Sequence, residues 1–364
     1  MAKKNTKLEI LKEENKAKAL DDFLSAMNRE RPNEVLKLND SKKTEISVSS
    51  TGIISLDVAI GAGGFPFGKI IELYGPEGSG KTTVALNVAA LAQQNGSNIG
   101  FIDAEHGLNR ELCNNLGIDP SRFVVNQPDS GEDAIDMIEQ MIKSGAFDVI
   151  IVDSIAAMVP KAEILAEVEQ QFMGLHARLM SKFMRRVVGP ANEAGVMLIL
   201  INQIRKNLAA YGTPDETTGG KAIKFYSSLR IEVKTSGSKK ITKGSDVVGH
   251  TVTATVKKNR LGAPFKTAEF DIIYGEGVDS NGALLDVAEQ VGVLSRSGAY
   301  YTEVSTGERV SELDESGKVR SIVGKDAVKQ YLKDNSEFHD RLLTSVYKVI
   351  DNDPDFILEY SNVE

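Results

Sequence analysis

Apolar positions along the chain fall into distinct rhythms. In a polar and charged opening stretch, Leu20, Phe23, Leu24 and Met27 recur at i, i+3, i+4 and i+7, one face of a helix. Such a stripe needs a surface, either its own domain or a neighbouring subunit, and the pattern suits both. From Ile70 to Ile201, apolar strand-like runs alternate with helical stretches: Ile70 to Tyr74, Ile99 to Asp103, Phe123 to Asn126, Asp148 to Asp153 and Val196 to Asn202. This alternation predicts an α/β fold, a mainly parallel sheet flanked by helices that binds its ligand outside the carboxyl ends of the strands. Beyond it, Leu229 to Val233, Thr251 to Val256 and Phe270 to Tyr274 read as antiparallel additions to the same sheet. A helix from about Leu284, a Gly/Tyr turn region and helices over roughly Lys325 to Leu332 and Glu337 to Val349 suggest a small C-terminal α+β lobe. The expected divisions are 1–45, a helical oligomerisation segment; 46–280, the core; 281–350, the lobe; and 351–364, a short acidic tail.

Composition sets limits on this picture. Of 364 residues, 41% are hydrophobic and 26% charged, enough for one large soluble core with appendages. The single cysteine, Cys113, cannot form an internal disulfide, and the Lys-, Glu- and Asn-rich start is unlike a signal peptide. No run approaches the ~20 apolar residues needed to cross a bilayer. The expectation is a cytoplasmic protein with no membrane partner. A net charge of -8 gives no global footprint for nucleic acid, so any DNA contact must be local.

The chemistry enters between the strand at Ile70 and the helix opening at Lys81. Gly75-Pro76-Glu77-Gly78-Ser79-Gly80-Lys81-Thr82 fits the phosphate-binding loop G-x-x-x-x-G-K-[ST]. Its glycines let backbone amides turn toward phosphates, Lys81 brings a cation to the β and γ groups, and the Thr82 hydroxyl can ligate Mg²⁺. Val149-Ile-Ile-Val-Asp153 would deliver a second Mg²⁺ ligand, although many buried strands end in Asp before a turn. Asp103, Glu105 and His106 emerge at the same edge; the reading favours Glu105 to polarise an attacking water, with Asp103 and His106 structural. Gln203, ending another strand, is a candidate γ-phosphate sensor. The segment Lys206 to Gly220 is long, glycine-containing and aperiodic, as functional loops often are.

These residues and others in order make the chain resemble the bacterial RecA recombinases from about Asn15 to Val349. The match includes Ser50-Thr-Gly, Ser55-Leu-Asp57, Gly61-Ala-Gly-Gly64 and Tyr74 to Thr83. It continues through Phe101-Ile-Asp-Ala-Glu-His106, Gln127-Pro-Asp129, Val152-Asp-Ser154, Pro160-Lys-Ala-Glu163 and Met173-Gly174. Further along come Ile201-Asn-Gln-Ile-Arg205, Thr217-Thr-Gly-Gly220, Lys224-Phe-Tyr226, Lys258-Asn-Arg260, Ala263-Pro-Phe-Lys266 and Tyr274-Gly-Glu-Gly277. The resemblance implies a P-loop ATPase core of RecA type, with ATP and Mg²⁺ as cofactors. Catalysis would fall to Glu105, Lys81 and Gln203, and nucleotide contacts to Gly75 through Thr83, Asp153, Asn109 and Tyr274, with Thr82 and Asp153 on the metal.

It further implies DNA-binding loops at about 163–174 and 203–220, with backbone contacts from Met173, Gly174, Arg178, Arg185, Arg205, Thr218, Gly219 and Gly220. Arg178 and Arg185 would equally serve as a solvated helix face. Lys258 and Arg260 match a pair reaching the ATP of the next subunit, and Phe225 an interface residue, though a buried aromatic at a strand start reads the same way. Implied partners are single-stranded DNA, homologous duplex and further copies in a helical filament; a self-cleaving repressor stays open. Implied function is ATP-dependent pairing and strand exchange in DNA repair, with a hexameric helicase or an ATP-switched single-strand binder as alternatives.

Several positions depart from the family pattern. Leu112 stands where relatives place a Tyr that stacks on adenine, and Asn109 where they place Asp. Arg260 replaces a common Lys, Asp215-Glu216 adds an acid to the second loop, the lobe is longer between Tyr301 and Ile322, and the acidic tail is short.

Overall fold

The computed structural model describes residues 2–30, 46–167, 174–205, 216–313 and 318–352, in two units divided after Ser47. The first unit holds α1 (Ala2–Glu30), one unbroken helix on which Leu20 and Phe23 are each about half exposed. Positions 31–45, and 353–364 of the expected tail, lie outside the described residues.

In the second unit, the short strand β1 (Val48–Ser49), the buried helix α2 (Ile54–Ile60) and β2 (Phe65–Pro66) precede the central sheet. Then come β3 (Ile70–Gly75), α3 (Lys81–Gln94), β4 (Ile99–Asp103), α4 (Arg110–Asn115), β5 (Phe123–Asn126), α5 (Gly131–Ser144) and β6 (Val149–Asp153). The chain continues as α6 (Lys161–Ile164), α7 (Leu175–Ala194), β7 (Met197–Arg205), β8 (Glu216–Thr217) and α8 (Lys221–Tyr226). β9 (Leu229–Lys243), β10 (Asp246–Asn259), β11 (Thr267–Ile273) and β12 (Gly277–Val278) complete a ten-stranded sheet. Its order is β12-β11-β10-β9-β3-β7-β6-β4-β5, with β8 paired to β7. Strands β9, β3, β7, β6, β4 and β5 are parallel, and β9 through β12 are antiparallel.

Side-chain alternation decides which helix covers which face. Ile71, Leu73, Phe101, Ile151 and Ile199 face one core with α2 and α3, whereas Ile70, Ile102, Ile150, Val152 and Leu198 face the other with α5 and α7. Both faces being covered, these strands read as continuous apolar runs. Helix α5 shows why its ends fall where they do: Ser130 accepts from the Asp133 amide at 3.2 Å, Glu132 and Asp133 occupy the first turn, and Gly145 closes the helix in the left-handed conformation.

Three expectations change. The antiparallel strands β9 and β10 extend well beyond Leu229 to Val233 and Thr251 to Val256, into a hairpin whose outer part, with Lys239, Lys240 and Lys243, lacks apolar alternation. The helix expected from Leu284 is α9 (Ser280–Gln290), starting earlier because the Asp279 carboxylate accepts from the Gly282 amide at 2.9 Å. The Gly/Tyr region forms two antiparallel pairs, β13 (Leu294–Ser297) with β14 (Tyr300–Glu303) and β15 (Ser311–Leu313) with β16 (Val319–Ser321). They precede α10 (Lys325–Asp334) and α11 (Ser336–Asn352). The division placed at residue 280 runs through a single apolar cluster: Leu284, Leu285, Val328, Leu342 and Val346 share it with α2 and the sheet. Among the described residues no helix is long and apolar enough to cross a membrane.

Candidate nucleotide and nucleic-acid sites

Four strand ends meet at one edge of the sheet, each bringing a polar side chain. β3 runs into the loop Gly75 to Gly80, where Gly78 (φ 69°) and Gly80 (φ 90°) take left-handed conformations that a side chain would resist. A Cβ on Gly80 would also stand 2.3 Å from Ile272 Cδ1. Because Gly80 is the N-cap of α3, no side chain caps that helix, and its first amides are left for a ligand. The buried Ser79 hydroxyl has no hydrogen-bond partner among the described residues. Lys81 Nζ donates to the carbonyls of Gly75 (3.1 Å) and Pro76 (2.6 Å). Burial lowers the lysine's pKa, and the carboxylates of Asp153, Glu105 and Glu77 oppose that shift.

The Thr82 hydroxyl donates to Asp153 Oδ2 at 2.6 Å. Burial pushes the Asp153 carboxyl up to about 6, against the bond from Thr82, while Glu105 and Asp103 add like charge. Three carboxylates, those of Asp153, Glu105 and Asp103, thus share this edge with the Lys81 ammonium, which opposes the rise. Glu105, from the end of β4, accepts from Ser154 Oγ and, at 3.0 Å, from Gln203 Nε2 at the end of β7. Its neighbour Asp103 is occupied otherwise: its carboxylate accepts from the amides of Gly107 (2.9 Å) and Leu108 (3.4 Å) and from Gln127 Nε2 (2.9 Å). His106 is exposed with φ 55° and joins none of this network.

Beside the loop lies a cavity of about 320 Å³ lined by Gly78 to Thr83, Leu112, His250, Ile272, Ile273, Tyr274 and Gly275. Tyr274 and Leu112, both singled out in the sequence, are among its lining residues. Asn109 is not: its side chain caps α4 by accepting from the Leu112 amide at 3.1 Å. Sequence reasoning passed over His250, whose strand neighbours give no cue to what faces it across the sheet, and Ser154, quoted only as part of a motif.

The residues expected at DNA sit on α7 and α8. Gly174 (φ 74°) is the N-cap of α7, and Arg178 and Arg185, seven apart, are exposed on it without an ion pair to another described residue. The Thr218-Gly219-Gly220 turn packs against the same helix, so that a Cβ on Gly219 would meet Met180 at 3.0 Å and one on Gly220 would meet Ala177 at 3.1 Å. The two expected loops are therefore anchored side by side. Asn202 strengthens the join: it donates to Glu72 Oε1 (2.8 Å) and to the Thr218 carbonyl (2.9 Å), and accepts from the Gln203 amide (2.8 Å). Buried Glu72 is paired in turn with Arg230. Met173, the first-loop positions 168–173, the second-loop positions 206–215 and the Arg205 side chain lie outside the described residues.

Lys258 and Arg260 do not line the cavity by the phosphate loop. Lys258 Nζ donates to the carbonyls of Lys224 (2.7 Å) and Phe225 (2.9 Å), and Arg260 to that of Phe225 (2.9 Å), closing the last turn of α8. Phe225 itself is 67% exposed, not the buried aromatic of the alternative reading.

Residues 18–279 match the family model described as the RecA N-terminal domain. Protein RecA of Clostridium botulinum (strain Eklund 17B / Type B) is 42% identical over 325 residues, covering 89% of this chain and 87% of that protein. Protein RecA of Kineococcus radiotolerans is 43% identical over 327 residues, covering 89% and 90%. That of Corynebacterium pseudotuberculosis (strain C231) is 40% identical over 351 residues, covering 96% and 91%.

Proposed function

Since the chain belongs to the RecA family, we infer that it is a DNA-dependent ATPase whose ATP-bound filament on single-stranded DNA pairs it with homologous duplex and exchanges strands. The observation that carries the reading is the meeting, at one sheet edge, of Lys81, Thr82 bonded to Asp153, and Glu105 bonded to Gln203. Amides at the start of α3 and the Lys81 ammonium bind and orient the phosphates; to do so Lys81 gives up its bonds to Gly75 and Pro76. Thr82 and Asp153 would hold Mg²⁺, a hard cation suited to their oxygens, and it would supply positive charge to offset that of the triphosphate.

Glu105 accepts the proton of the attacking water. Gln203, which donates to Glu105, exchanges that bond for one to the γ-phosphate and so couples the nucleotide to the segment that follows β7. That segment ends in the Thr218-Gly219-Gly220 turn, which packs at Ala177 and Met180 on α7, the helix that Gly174 opens and that carries Arg178 and Arg185. Amides and guanidinium groups there hold the DNA backbone without reading bases, which leaves pairing to test homology. Lys258 and Arg260 act on the ATP of the adjoining subunit, a role supported by their place beside exposed Phe225 and outside their own cavity. The protein works in the cytoplasm.

Strand exchange assayed with ATP and with a slowly hydrolysed analogue tests this reading. Pairing is expected in both conditions, since ATP binding rather than its hydrolysis sets the extended state. Pairing in neither would remove it, and closed rings by electron microscopy would favour a hexameric motor.

A further inference from the structure

The cavity beside the phosphate loop has two unlike walls. From α4, Leu112 contributes only methyl groups. His250 on β10 and Tyr274 just after β11 line it too and stand ring to ring, centroids 5.5 Å apart and planes at 45°. His250 Nδ1 lies 3.3 Å from the Tyr274 hydroxyl, and Tyr274 is 56% exposed. The wall is close to the phosphate loop, because Ile272, paired across the strands with His250, is the residue that a Cβ on Gly80 would strike. The buried Nε2 of His250 has no hydrogen-bond partner among the described residues, so the ring keeps an unmet bonding capacity. Burial lowers the imidazole's pKa, opposed by Asp271, which favours the neutral ring with its donor and its acceptor.

Resting on the reading of this cavity as the ATP site, we propose that His250, with Tyr274, forms the platform on which the purine base is held, so that the base is gripped from the β10–β11 side while Leu112 serves as an apolar cover. An aromatic pair whose tyrosine is more than half exposed offers the offset stacking that a base prefers, and Leu offers area without a π face. His250 is on this view a specificity-determining residue that makes up for the absent ring at position 112.

The test separates base from phosphate. Binding of ADP and of inorganic tripolyphosphate, each with Mg²⁺, is measured by calorimetry for the full chain and for His250→Ala, His250→Phe and Leu112→Ala. His250→Ala should raise the ADP Kd by roughly three- to tenfold, the range expected for loss of one aromatic contact. Tripolyphosphate affinity should stay the same, His250→Phe should recover most of the ADP loss, and Leu112→Ala should cost less than His250→Ala. Unchanged ADP affinity in His250→Ala, an equal loss of both ligands, or a larger loss in Leu112→Ala would overturn the platform. Wild-type protein that binds neither ligand would remove the ATP reading and the platform with it, whereas tight wild-type ADP binding indifferent to His250 removes the platform alone.

Discussion

At the scale of single residues, the network around Glu105 separates two side chains that the sequence leaves adjacent. Asp103 spends its carboxylate on two loop amides and Gln127, whereas Glu105 is exposed and held by side-chain donors that can leave it. Glu105→Gln keeps the shape but lacks a base, so turnover should fall by roughly 10²-fold or more while ATP-dependent DNA binding persists. Lys81→Ala should instead abolish nucleotide-dependent DNA binding. Steady-state ATPase together with co-sedimentation on DNA distinguishes the two, and near-normal hydrolysis by Glu105→Gln would show that the base lies elsewhere. The phosphate loop could be read from sequence because its parts are contiguous. The contacts of Glu105 with Ser154 and Gln203 could not, since they join three strand ends and depend on which strands are neighbours.

At the scale of elements, α2 and α11 are tied through one buried acid. Asp57 accepts from the Thr51 amide (2.9 Å), the Thr51 hydroxyl (2.7 Å), the Ser50 hydroxyl and, at 3.4 Å, from Tyr347 on α11. Among the described residues no cation shares the site, and burial outweighs these bonds, pushing the carboxyl from its ordinary 3.8 up to about 7. The unfolded chain ionises this group near 3.8 and the folded protein only near 7, so its contribution to stability is fully present below the lower value and is lost as pH rises through the higher one. Between pH 5 and pH 8, Asp57→Asn should therefore gain on wild type by roughly 2–3 kcal/mol in urea unfolding. A difference independent of pH would mean that the carboxyl is ionised in the fold. The buried residues of α5 and α7 fall in long one-sided stripes of the kind that periodicity detects, whereas in α2 all seven residues are buried and no stripe exists. The outer β9–β10 hairpin escapes for the opposite reason, since its polar residues pair along the backbone without apolar alternation.

At the scale of the whole molecule, the expected head-to-tail filament gives each interface one face carrying Glu105 and another carrying Lys258. Glu105→Gln and Lys258→Ala should then be inactive apart and regain DNA-stimulated ATPase when mixed, with about a quarter of interfaces intact at equal proportions. Co-sedimentation must show that the two assemble together; a mixture that does so and stays inactive would put Lys258 on its own subunit's ATP. The succession of strands and helices and the two buried faces follow from apolar runs in the sequence, but neither the order of the strands within the sheet nor a face expected to meet a partner, such as that around exposed Phe225, has a periodic signature. Within one subunit, the pairing of β8 with β7 brings Ile204 opposite Thr217 and Arg205 opposite Glu216, so the sheet itself pins both ends of the segment between them. For a flexible connection between ends so fixed, lengthening costs only chain entropy, ~0.6 kcal/mol per doubling. Its length is thus free to drift over generations, and on the proposed DNA-binding reading its reach can evolve without drawing on the pairing of these two strands.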